Sequence, residues 1–209
     1  MKKIIVTFVL ASLSLLAPAQ TQFEQGMNKA FELWKTGNPV EASAMFERIA
    51  AVEKDNWLPN YYVAFINTTT AFEFRNDKEK VAALLNKAQE SLDIEFQKNP
   101  ENPELLVLQA LIYTAWISFD PMTNGMKMSG KVMEIYSKAE QIAPNNPRVV
   151  FGKAEFEMGS ARYFKQDTSP MCGQIDKAIT LFNTFKPESV FHPNWGLDRA
   201  LKVQKGCAK

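Results

Sequence analysis

Histidine occurs once in this chain, cysteine twice and glycine nine times among 209 residues. One imidazole and two thiols leave too few ligands or nucleophiles for most metal centres and catalytic triads. The low glycine content, within an otherwise ordinary composition, excludes collagen-like and low-complexity classes. An excess of one charge is missing as well: 24 Lys plus Arg stand against 23 Asp plus Glu, a formal net charge of +1. No field of the kind that gathers polynucleotides arises from that balance, and no nucleic-acid partner is expected. Neither a phosphate-cradling glycine loop nor a Gly-x-Ser-x-Gly elbow occurs. Glu155 and Glu157, two positions apart on a helix, diverge. His192, directly before Pro193, reads as a capping or packing residue and not as a general base. The chain is therefore expected to be non-catalytic, with no cofactor and no metal site.

The N-terminus carries the first positive signal. Lys2 and Lys3 form a basic start, Ile4 to Leu16 an apolar stretch, and Ala17-Pro18-Ala19 a small-residue cleavage site, the pattern of a secretory signal peptide over residues 1–19. The apolar stretch of about 13 residues falls short of the ~20 a helix needs to cross a bilayer. The mature chain is expected to begin at Gln20 and to be exported, periplasmic or secreted, with no membrane span. Removing Lys2 and Lys3 from the 24 basic residues leaves it within one charge of neutrality against 23 acidic ones. In an oxidising compartment Cys172 and Cys207 are expected to form a bridge. Closing a loop of about 35 residues in this way stabilises by roughly 4 kcal/mol in the chain-entropy view.

Internal repetition organises the rest. Asn99-Pro100-Glu101-Asn102-Pro103-Glu104 and Ala143-Pro144-Asn145-Asn146-Pro147-Arg148 share two prolines three positions apart and an alanine ten positions after the first. The same register extends upstream and marks four units beginning near Gln22, Trp57, Pro103 and Pro147. Pro103 and Pro147 suit the first position of a helix, and Asn102 and Asn146 suit its cap. Each unit reads as two helices. Phe23, Met27, Ala30, Phe31 and Trp34 recur at three- and four-residue steps, a turn follows at Lys35-Thr36-Gly37-Asn38, and Ala42, Met45, Phe46 and Ile49 resume the period.

Gly37-Asn38-Pro39-Val40-Glu41-Ala42, with Phe46 and Ile49 after it, resembles the turn and second helix of a tetratricopeptide repeat (TPR). Tyr136, Ala139 and Pro144 match the end of such a repeat, and Ala30, Ala64, Ala110 and Ala154 its small first-helix residue. The resemblance covers roughly residues 22–186. It implies an all-α fold, an α-α superhelix of about four TPR-like helical hairpins over residues 20–187, with a C-terminal capping segment over 188–209. The spacing departs from the family: successive alanines lie 34, 46 and 44 residues apart, against the usual ~34. Longer inter-helix loops in the later units are the expected cause.

The resemblance also implies that the first helices line a groove for a protein or peptide partner. Projected onto it, Met27, Phe31, Trp34, Tyr61, Phe65, Thr68, Thr114, Arg148 and Phe151 face that groove, although such aromatics equally serve as packing between hairpins. Met27, Phe31, Tyr62, Glu104 and Leu108 stand where carboxylate-gripping TPR domains carry Lys, Arg and Asn, so no carboxylate clamp is expected. A second contact surface is expected in a long loop over residues 120–130, where Met122, Met126 and Met128 offer either an adaptable apolar surface or thioethers for a soft ion such as Cu(I). Another exposed loop is expected over residues 165–173. The chain is thus expected to be an exported interaction module or scaffold of the cell envelope. The alternatives are a copper-handling protein and an accessory subunit of an envelope enzyme.

Overall fold

The computed structural model describes residues 22–74 and 76–207. The signal-peptide segment lies outside the described residues. Every regular element among the described residues is helical: α1 over residues 22–35, α2 (Pro39–Val52), α3 (Leu58–Ala71), α4 (Lys78–Phe96), α5 (Pro103–Phe119), α6 (Pro121–Ile142), α7 (Pro147–Tyr163), α8 (Ser169–Thr184) and α9 (Leu197–Gln204).

Local chemistry sets the helix starts. Pro103 and Pro147 occupy the first turns of α5 and α7, and the Asn102 and Asn146 side chains accept hydrogen bonds from Glu104 N (2.9 Å) and Arg148 N (2.9 Å). Asp77 caps α4 by accepting from Lys80 N at 3.0 Å. Between α1 and α2 the chain turns through Gly37 at φ +84°, a conformation that favours glycine.

Consecutive helices pair into hairpins, α3 with α4, α5 with α6 and α7 with α8, and the second helix of each unit packs on the first helix of the next, as α2 does on α3, α4 on α5 and α6 on α7. First helices also stack directly, α3 on α5 and α5 on α7, which lays them side by side as one face of the molecule. The four signature alanines make this close approach feasible: Ala30, Ala64, Ala110 and Ala154 are all buried. Gly152 serves the same end, since a Cβ there would stand 2.5 Å from the Tyr136 hydroxyl of α6.

Of the two expected loops, residues 121–130 and 169–173 are helical, while 165–168 form the expected loop. Residues 121–130 form the first turns of α6, because Asp120 accepts from Thr123 N at 3.0 Å and Pro121 enters the first turn. Residues 169–173 likewise begin α8, with Pro170 in its first turn. The long repeat interval of the third unit comes from longer helices, 17 residues in α5 and 22 in α6, against 14 each in α2 and α3. The expected bridge is present: Cys172 of α8 and Cys207, just past α9, are joined. Ala200 and Val203 bury α9 against Ile175 and Ala178 of α8, so the last helix caps the final hairpin.

Candidate binding groove and the segment that fills it

Between α8 and α9 the chain does not stay at the end of the stack. Residues 185–196 run back across the first helices of three units, over the face on which the groove is expected. Phe191 meets Phe23 edge-on at 5.7 Å and stacks over Phe31 at 6.0 Å, while its carbonyl accepts a hydrogen bond from the Tyr62 hydroxyl at 2.7 Å. Four residues on, Trp195 stacks on Phe65 at 4.6 Å, and its indole N–H donates to the Tyr61 hydroxyl at 2.7 Å. Phe191, His192 and Pro193 are buried, whereas Val190 is 85% exposed. Gly196 ends this strap at φ +116°, and a Cβ there would stand 2.5 Å from the Phe182 ring, so only glycine allows the approach to α8.

The two phenols beneath the strap are held in their hydrogen-bonding, protonated form. Burial pushes Tyr61 well above its ordinary pKa, helped by the Glu104 charge and opposed by Arg148 and the indole bond. Burial likewise raises Tyr62.

Below the middle of the strap sits a buried charged cluster. Glu104 takes a bidentate pair from Arg148, Nε to Oε2 at 2.7 Å and Nη2 to Oε1 at 2.7 Å, and accepts from Asn146 Nδ2 at 2.6 Å. The Phe185 ring lies 4.5 Å from the Arg148 guanidinium carbon. Nη1 is the one buried side-chain N or O atom with no hydrogen-bond partner among the described residues. His192 packs edge-on to Trp57 at 5.8 Å, with Nε2 3.8 Å from Glu104 Oε1. Burial would raise the Glu104 carboxyl, but His192, Arg148 and Asn146 outweigh it and hold the group below the ordinary carboxylate range. A pocket of about 490 Å³ opens beside the cluster, walled by Trp57, Phe185 and His192.

The nine residues projected onto the groove therefore divide. Phe31, Tyr61 and Phe65 touch the strap directly. Met27 is buried in the same core. Thr68 is buried with its hydroxyl donating to Ala64 O at 2.7 Å. Arg148 pairs with Glu104 and Phe151 packs edge-on to Phe182, so neither lines open groove. Trp34 and Thr114 stay half-buried, and Phe31, Trp34 and Lys35 bound a shallow pocket of about 320 Å³.

On α6, Met122 and Met126 lie one turn apart and are 80% and 93% exposed, while Met128 falls on another face and is half-buried. The three thioethers do not converge. Sequence reasoning missed Phe191, Trp195 and Phe185 as groove residues; the one available signal was their density in an otherwise polar segment.

Hairpins stacked through paired first and second helices define the class: the chain has a TPR-like, all-helical fold among the described residues. No family profile matches it, and no curated protein is similar to it in sequence. In structure it is similar to the HusA haemophore from Porphyromonas gingivalis, at 20% identity over 88% of this chain and 92% of that one, with a TM-score of 0.67. It is also similar to a thermophilic TPR protein of Thermus thermophilus, at 12% identity over 89% and 98% of the two chains, with a TM-score of 0.57.

Proposed function

We propose that this chain is an exported, non-catalytic module of the cell envelope that binds a non-helical polypeptide segment on its first-helix face. Residues 20–187 act as the repeat domain, and residues 188–209 act as the segment that covers its face and end. One observation carries this reading: the face already holds an irregular, non-helical stretch of polypeptide, by aromatic stacking and by a hydroxyl that bonds a main-chain carbonyl. Met122 and Met126 supply a second, adaptable contact at the edge where the helices turn. The disulfide agrees with an oxidising compartment. Native mass spectrometry of the protein isolated gently from its own envelope tests the reading. A polypeptide adduct on a species that begins at Gln20 and is two hydrogens lighter than the thiol form is expected. A species retaining residues 1–19, or one carrying only a small molecule, overturns it.

A second reading has its own observation. The haemophore likeness, with the shallow, mostly apolar pocket bounded by Phe31, Trp34 and Lys35, supports a planar apolar ligand bearing carboxylates, such as haem. Haemin titration followed by its absorption band decides it: saturable binding that Trp34→Ala weakens favours haem capture, and no saturable change removes it.

A further inference from the structure

We propose that the strap, residues 185–196, is an intramolecular occupant of the first-helix face that a partner segment replaces by presenting the same chemistry: an aromatic side chain with a Trp four positions on, in non-helical backbone that turns at the aromatic residue. This rests on the reading of that face as a polypeptide groove, and it names the partner's chemistry and the resting state of the site.

The strap is held by side chains, with little backbone bonding. Phe191 and Trp195 stack on α1 and α3, Tyr62 and Tyr61 each make one hydrogen bond to it, His192 packs on Trp57 beside Glu104, and Phe185 covers the Arg148 guanidinium. Between its ends, where Phe185 N bonds Phe182 O and Gly196 O accepts from Ala200 N, its main-chain bonding is a single local turn, His192 N to Ser189 O at 3.1 Å, with Ser189 Oγ accepting from Phe191 N at 3.3 Å. No ladder of backbone bonds ties it to α1, α3 or α5, unlike the helices beneath, whose amides are paired within each helix. Segments bonded so sparsely open at a lower free energy than the core they cover.

The groove side is built to be reoccupied. Tyr61 and Tyr62 are nearly fully buried, and their hydroxyls would be costly to leave unpaired. A replacing segment must therefore bring a carbonyl for Tyr62 and an N–H donor for Tyr61. The Tyr62 bond reads main chain, which any non-helical peptide offers. The indole bond to Tyr61 selects Trp. Opening does not require the last hairpin to come apart, because α9 is fixed separately to α8 by Ala200, Val203 and the Cys172–Cys207 bridge.

The test uses a fluorescein-labelled synthetic peptide with the sequence of residues 186–196 and the full mature chain. Apparent affinity falls with the fraction of chains whose groove is open. Chains with Phe191→Ala and Trp195→Ala are therefore expected to bind the peptide at least tenfold more tightly than the wild type, and a peptide with Ala at its Phe and Trp positions is expected to lose at least tenfold. Equal binding to both chains, or binding to neither, overturns the proposal. Hydrogen exchange on the unaltered chain reads the same point without the variant. Strap amides at 188–195 are expected to exchange at least tenfold faster than those of α3 and to speed up further with added peptide. Protection equal to that of α3 marks the strap as permanent core and overturns the proposal. Because the peptide is the chain's own sequence, this outcome is independent of whether a polypeptide is found in the envelope.

Discussion

The third and fourth hairpins open with the same two residues and diverge at the next. Asn102-Pro103 is followed by Glu104, and Asn146-Pro147 by Arg148. Both asparagines hold extended backbone, φ −67° and ψ 117° against φ −73° and ψ 119°, and both cap their helix. Equal caps place Glu104 and Arg148 at equivalent repeat positions 44 residues apart, the interval that also separates Ala110 from Ala154. Opposite charges at equivalent positions then pair, buried to 2% and 0% exposure. The lesson is that a repeat junction need not be a copy of its neighbours. Shared caps fix the geometry, and one unshared residue turns a generic stacking contact into a specific one.

Breaking the pair on one side has the largest expected effect. Arg148→Met leaves the Glu104 carboxylate buried without its fork and is expected to cost about 3–5 kcal/mol in urea unfolding. The two caps are next. Asn146→Ala loses both its cap and its donation to Glu104 and is expected to cost about 2 kcal/mol, against about 1 kcal/mol for Asn102→Ala, whose side chain makes only the cap bond. Equal losses would mean that the cross-repeat bond contributes nothing. Replacing both charges, Glu104→Met with Arg148→Met, is expected to recover most of the single-variant loss and end within about 1 kcal/mol of wild type, because two apolar side chains have no buried charge to compensate. Acid gives the smallest difference. A carboxyl held below its ordinary range stabilises the fold above about pH 4, and that contribution is lost as pH falls through its folded value. Unfolding midpoints followed downward from pH 6 should therefore fall more steeply for the wild type than for the double Met variant.

Much of the architecture was legible in local pattern. Unit starts near Trp57, Pro103 and Pro147 coincide with helix starts at residues 58, 103 and 147, because caps, prolines and small residues act within one or two turns. Pro121, Gly125 and Gly130 misled in the same local language. They read as breakers, yet a proline in the first turn after a capping Asp120 begins a helix, and Gly125 and Gly130 within α6 meet nothing that a side chain would disturb. The candidate site was half legible. The TPR resemblance placed Phe31, Tyr61 and Phe65 on one face, but what covers them lies far away in sequence: Tyr62 and Phe191 are 129 residues apart, Tyr61 and Trp195 134. No periodicity connects an irregular segment to the surface on which it lands. Arg148 was placed toward the groove, and only its pairing with Glu104 turns it inward.

The Cys172–Cys207 bridge closes α8, the strap and α9 into one covalent ring. A protease that cuts at exposed Val190 therefore opens the ring without releasing anything, since both new ends stay attached, one through the main chain and one through sulfur. Such a nicked chain keeps its cap on the last hairpin, shows one band under non-reducing electrophoresis, and separates into two pieces only when a thiol is added.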